Sequence, residues 1–159
     1  GVRPAVNAGL SVSRVGGQAQ TKRQKRLSTS LFKALAKYHQ AEEFSHFSSQ
    51  LSKETRADLM RGKHLYAALQ QPPEQLLSLA QQQLMLEVIM KPEDDRAIDI
   101  AKLKSAVLEI SEAPADEAAY DAKEVELLEQ FGAKQLAPAE AKPEVATEPD
   151  DKTKEKSHA

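Results

Sequence analysis

The sequence predicts an all-α protein, a bundle of about five helices, on three observations. Aromatic residues make up only 4% of the chain, so a core must come from Leu, Ile, Val and Ala, which suits helices better than sheets. From Thr21 onward, apolar residues recur at intervals of three and four, the spacing that lines one helical face. Prolines fall between these runs, at Pro72-Pro73, Pro92 and Pro114, where a missing N–H and a fixed φ end one helix before the next starts. A length of 159 residues fits one domain with tails.

Residues 1–20 stand apart. Gly1, Gly9, Gly16 and Gly17 surround Val6, Leu10, Val12 and Val15, with Pro4 and Gly16-Gly17 as turn signals. They predict a short strand and loop that needs a partner sheet from outside this sequence. Residues 21–132 form the helical part. The first helix starts near Thr21 and faces Leu27, Leu31, Leu35, Tyr38 and Ala41 inward. Lys22, Arg23, Lys25 and Arg26 crowd its first turns. Positive charge there opposes the macrodipole, so compensation from another part of the protein is expected. Ser52 is the expected N-cap of the second helix, with Leu51 as its staple residue. Ala57, Met60, Leu65 and Leu69 are its expected buried face. Gly62 lies inside it at a cost of about 1 kcal/mol relative to alanine, which a close helix contact would explain.

The third helix is expected from Leu76 to Met90, burying Leu77, Leu84, Val88 and Ile89. The fourth is expected from about Glu93, with Asp94 and Asp95 in its first turn, through Ile100, Leu103, Val107 and Ile110. The fifth carries Val125, Leu128 and Phe131. Residues 133–159 are Ala, Pro, Glu and Lys with few large apolar side chains. Such a segment cannot bury enough surface to offset its ordering entropy, so a disordered tail is expected.

Several function classes find no support. A formal net charge of −2 gives no global attraction to nucleic acid or anionic lipid. There is no cysteine, hence no disulfide or thiolate metal site. No apolar run approaches the ~18 residues that span a bilayer. Gly1-Val2-Arg3-Pro4 is not a signal-peptide start, and a first residue other than methionine reads as the interior of a longer protein. Gly62-Lys63 is followed by His64 instead of Ser or Thr, so no phosphate-binding loop is present. His39 and His46 share a helix face but lack the carboxylate of a zinc motif, so no metal site is expected; His64 and His158 stand alone. The basic cluster Lys22–Arg26 lacks interleaved aromatics and reads as a solvated helix start.

Arg14 carries the candidate chemistry. It sits in Gly9-Leu-Ser-Val-Ser-Arg-Val-Gly-Gly17, an arginine on a short apolar run between glycines. Its planar fork can bridge phosphate oxygens. Arginines at strand ends are common, so the pattern alone is weak. Arg3-Pro-Ala-Val-Asn7 with Gly9-Leu-Ser-Val-Ser-Arg-Val-Gly16, then Ala19-Gln20 and Lys22, closely resembles the α subunit of F-type ATP synthases. Leu35-Ala36, Tyr38, Phe44, Phe47, Leu51, Arg61-Gly62, Leu65, Leu69 and Gln71-Pro72 continue the likeness in register, and it fades after about Met90.

The resemblance implies the edge of a nucleotide-binding domain in residues 1–20 and the helical C-terminal domain after it. It implies that Arg14 is an arginine finger reaching a catalytic site on the β subunit, with Val12 and Ser13 lining the approach. It places Gln71 near the adenine of the α subunit's own non-catalytic nucleotide, where Pro73 replaces a second glutamine. ATP or ADP and magnesium are implied through the complex, held by ligands outside this sequence. Implied partners are β subunits, the central-stalk γ subunit and the peripheral stalk, in a hetero-oligomer peripheral to an energy-transducing membrane. Its side would be cytoplasmic in bacteria, or matrix or stroma in organelles. Enzymatic activity would belong to the assembly, not to this chain alone. Three features depart from the family pattern: the N-terminal barrel and phosphate loop are missing, Pro73–Leu79 lacks an aromatic-Ser-Pro sequence, and the tail runs long. The rival expectation is a stand-alone helical interaction module without nucleotide chemistry.

Overall fold

The computed structural model describes residue 5, residues 15–45 and residues 51–132. Among these are six helices and no strand: α1 (Gly16–Ala19), α2 (Lys22–Ser45), α3 (Lys53–Leu69), α4 (Leu79–Met90), α5 (Ile100–Leu108) and α6 (Glu117–Phe131). The five longer ones form the expected bundle. The strand expected in residues 1–20 lies mostly outside the described residues; its described end is the single turn α1, followed by an extended Gln20.

α4 is the hub. It packs against α2, α3, α5 and α6, and Gln83, Leu84, Met85, Glu87, Val88 and Ile89 are all buried. A helix apolar nearly all round can be stable only when sheathed. Around it the core is completed by Ala34 of α2, Leu65 and Ala68 of α3, Leu103 and Val107 of α5, Leu127 of α6 and Ile98 from the loop before α5. Each fully buried Leu or Ile contributes roughly 1.5–3 kcal/mol over its exposed state, so α4 and its neighbours hold most of the hydrophobic stabilisation.

Local chemistry sets the helix ends. The Ser52 side chain accepts from Thr55 N, as expected. Two capping boxes add to what hydrophobic spacing predicts. Thr21 Oγ1 accepts from Gln24 N while Gln24 Oε1 accepts from Thr21 N, at 3.2 and 2.9 Å. Ser78 and Gln81 repeat the exchange at α4, and so start that helix three residues later than Leu76, which is 85% exposed. The fourth expected helix also starts late. Residues 93–99 are not helical, and Asp99 caps α5 by accepting from Lys102 N. Asp94 is spent on Arg96, at 2.8 Å, and Arg56 of α3 ion-pairs with Asp95 at 3.1 Å. The non-helical stretch lets Ile98 enter the core and bridge Gly132, with Asp99 N donating to Phe131 O at 3.1 Å. Leu69 and Val125 are more exposed than expected, at 42% and 43%. In α6 the inward face is set by Tyr120, Glu124, Leu127, Leu128 and Phe131, a stripe that leaves Val125 outside it.

Gly62 has the expected reason. It is buried, and a Cβ there would fall within the Tyr38 side chain of α2. Tyr38 itself donates to Glu42 at 3.0 Å, and burial and that carboxylate push its phenol up to about 12. We expect Gly62→Ala to lower unfolding free energy by about 1–3 kcal/mol through overpacking, despite the better helix propensity of alanine. Denaturant titration of the protein measures this; a stabilised variant would show that the ring moves aside freely.

Candidate functional site

Arg14, Val12 and Ser13 lie outside the described residues. Gln71 follows the C-cap of α3 and is exposed; its Nε2 donates to the carbonyl of Gln75 within the turn after α3. His46 lies outside the described residues, and His39 pairs with the Tyr66 hydroxyl at 3.0 Å. Of the four expected site residues, the described structure contains Gln71. It assembles a different polar site, one that sequence reasoning missed.

That site is built on Arg23, in the first turn of α2. No acidic residue lies in that turn, so charge compensation must come from elsewhere. Arg23 Nε and Nη2 donate to Glu87 Oε1 and Oε2 of α4 at 2.7 and 2.8 Å, a two-pronged fork. Nη1 donates to Asp121 Oδ1 of α6 at 2.9 Å and to Glu117 O at 3.4 Å. Glu124 Oε2, also on α6, lies 3.6 Å from Nη2, and the Tyr120 ring lies 5.1 Å from the guanidinium carbon. The Arg23 side chain is 14% exposed, Glu87 9% and Glu124 8%. The Glu87 bond, more than any other contact, holds the Arg23 guanidinium charged well above its ordinary range. Burial pushes the Glu124 carboxyl up, partly offset by Lys91 at 3.4 Å. Gln83 Nε2 supplies Glu87 with a further donor at 3.2 Å. Charge-assisted, bidentate geometry of this kind is the strong form of the hydrogen bond.

An open cleft of about 520 Å³ runs over these groups, lined among others by Arg26, Leu27, Lys91 and Glu117. Its charges are matched within the protein: Arg26 faces Glu117 at 3.5 Å and Lys91 faces Glu124. The arrangement is therefore a latch between three helices. The basic cluster is not simply a solvated helix start: Lys22, Lys25 and Arg26 are exposed, while Arg23 turns inward. One signal could have exposed this. Glu87 interrupts the apolar run Leu84–Met90, and a charge there requires a partner.

Two further polar groups fix the neighbouring elements. Lys104 Nζ donates to Ala67 O at 2.7 Å and also to Gln70 O, closing the C-terminus of α3 with positive charge; burial lowers its ammonium pKa. His64 is buried, and its Nε2 accepts from Ile98 N at 3.2 Å. That bond requires a neutral ring protonated on Nδ1, and burial pulls its pKa below the ordinary value of 6.5.

Comparison with known proteins gives consistent matches. The family described as ATP synthase alpha/beta chain, C terminal domain, matches residues 20–140. ATP synthase subunit alpha of Lawsonia intracellularis (strain PHE/MN1-00) is 47% identical over 100 residues, which is 62% of this chain and 20% of that protein. ATP synthase subunit alpha of Buchnera aphidicola subsp. Schizaphis graminum (strain Sg) is 48% identical over 85 residues, 54% of this chain and 17% of that protein. The matched region is thus about a fifth of the length of these curated relatives.

His64 gives a pH test of the local geometry. A folded pKa below 6.5 means that the unfolded state binds the proton first, so this group's stability is full above 6.5 and falls as pH drops below it. Relative to His64→Gln, whose amide oxygen can still accept from Ile98 N, the parent protein should lose stability as pH falls below 6.5. A pH-independent difference between the two would show that His64 protonates equally well in both states.

Proposed function

The protein belongs to the family of ATP synthase alpha/beta C-terminal domains, and from that premise we propose that it is the C-terminal part of an F-type ATP synthase α subunit that lends Arg14 to a catalytic site built mainly by β. The observation carrying this is the likeness to two α subunits at 47% and 48% identity. It is supported by the run Gly9-Leu-Ser-Val-Ser-Arg-Val-Gly16 around Arg14.

On this reading residues 1–20 are the edge of the nucleotide-binding domain, 21–132 the helical domain and 133–159 a tail. Arg14 bridges phosphate oxygens at the α/β interface and offsets charge that builds in the transition state. A rigidly presented guanidinium does this at no reorganisation cost. Such a group contributes on the order of 10³- to 10⁵-fold in rate. Val12 and Ser13 line the approach, and the exposed Gln71 lies towards the adenine of the non-catalytic nucleotide.

Nucleotide and magnesium belong to the assembled ring. Bound magnesium supplies neutralisation of phosphate charge; among the described residues, no three of His, Cys, Asp and Glu are grouped to hold a metal. The helical domain packs beside β neighbours around the central-stalk γ subunit, with peripheral-stalk subunits completing a hetero-oligomer on the membrane surface. Among the described residues, no helix is long and apolar enough to cross a bilayer.

Arg14→Ala in the full-length subunit, assembled with its partners, should lower steady-state ATPase turnover by at least ~10²-fold. Near-normal turnover by the assembled ring would remove the catalytic role of Arg14.

A further inference from the structure

We propose that Tyr66 is a site of covalent modification, its phenol oxygen primed by His39 to take an acyl group from an activated acyl donor. The observation is a chain of contacts at the exposed seam of α2 and α3. The Tyr66 hydroxyl meets His39 Nε2 at 3.0 Å, and His39 Nδ1 lies 3.8 Å from Glu42 Oε2.

The cluster follows from the close approach of the two helices. Gly62 admits the Tyr38 ring against α3, and Tyr66 stands about one turn further along α3. The rings of Tyr38, His39 and Tyr66 then close a triangle, with centroids 5.4, 5.5 and 6.0 Å apart. His39 and Glu42 share a face of α2. Tyr38 Oη donates to Glu42 at 3.0 Å and steadies that carboxylate. The His39 and Glu42 side chains are 57% and 48% exposed, and Tyr66 is half-buried, so a small reagent can reach the phenol.

A hydroxyl bonded to a base, with a third group orienting the base, is the arrangement that activates a nucleophile. The Glu42 carboxylate favours the His39 tautomer with its proton on Nδ1, which leaves Nε2 to accept from the phenol. As the Tyr66 oxygen attacks the acyl carbon, its proton passes to Nε2 and the bond from that carbon to the leaving group breaks. Glu42 offsets the imidazolium charge, and the imidazolium then gives its new proton to the leaving group. One aryl ester forms and one protonated leaving group departs, with no other reactant. The other two of the chain's three tyrosines stand differently. Tyr38 donates to Glu42, and its phenol, pushed up to about 12, stays protonated. Tyr120 lies against the Arg23 guanidinium.

The probe is N-acetylimidazole, an activated acyl donor, applied at limiting concentration to the full-length protein, with acetylation of each tyrosine timed by peptide mass spectrometry. Tyr66 should react at least ~10-fold faster than Tyr38 or Tyr120. That is below the roughly 10²- to 10⁴-fold of an evolved general base, since this one stands in water. His39→Gln keeps an acceptor for the phenol but no base, and should slow Tyr66 about 10-fold while leaving Tyr120 unchanged. Glu42→Gln should slow Tyr66 in the parent protein and have no further effect in the His39→Gln background, since Glu42 is a positioning residue acting through the imidazole. The comparison among the parent's own tyrosines needs no variant to fold. Equal rates at all three tyrosines, or a Tyr66 rate indifferent to His39→Gln, would overturn the inference and leave the cluster a packing contact.

Discussion

The guanidinium of Arg23 against the carboxylate of Glu87 is the constraint around which this bundle is arranged. α4 is buried on nearly every side, which is favourable for Leu84, Met85, Val88 and Ile89 and costly for one ionised carboxylate. Once Arg23 meets Glu87 through two nitrogens, α4 can sit at the centre, and α2 is tied to the helix that supplies more of the core than any other. The same guanidinium reaches Asp121 and Glu117 O, so α6 is drawn onto the same point. The positive charge that would destabilise an isolated α2 thus joins three helices.

Arginine and lysine repeat this role elsewhere. Arg61 of α3 donates to Pro92 O at 2.6 Å and pairs with Asp58 at 3.2 Å. Arg56 holds Asp95, and Lys104 of α5 closes the end of α3. With 4% aromatics, the protein has few large rings to fill the gaps between helices. Long cationic side chains span those gaps, with their heads on carbonyls and carboxylates. This fits a domain whose helices α4 and α5 are short, at 12 and 9 residues, and need tertiary contacts to persist.

Much of the fold is legible because its signals are local. Ser52, Pro72-Pro73 and the spacing of Leu27, Leu31 and Leu35 place α2 and α3 from sequence alone. The capping boxes at Thr21 and Ser78 are equally local and readable, yet hydrophobic spacing alone puts the start of α4 at Leu76. The start of α5 is not legible: Asp94 and Asp95 look like a first helical turn, but Asp94 pairs locally with Arg96, while the Arg56 pair with Asp95 and the His64 bond to Ile98 are settled only by tertiary packing. The candidate site divides in the same way. Arg14 stands out by its glycine-flanked run and takes a role from resemblance, and it lies outside the described residues. In the sequence Arg23 reads only as part of a basic cluster, since its partners Glu87 and Asp121 lie 64 and 98 residues further along. Single-sequence spacing cannot pair groups so far apart.

The central claim is most directly tested by a double-mutant cycle on folding stability, using Arg23→Met, Glu87→Leu and both together in denaturant titrations. Removing Arg23 alone leaves Glu87 and Glu124 buried and under-compensated, with an expected loss of about 3–5 kcal/mol. The double variant should be more stable than Arg23→Met, because the stranded Glu87 charge is removed with its partner. Losses that simply add would mean that the two side chains meet without depending on each other, and would contradict the view that their contact organises the bundle.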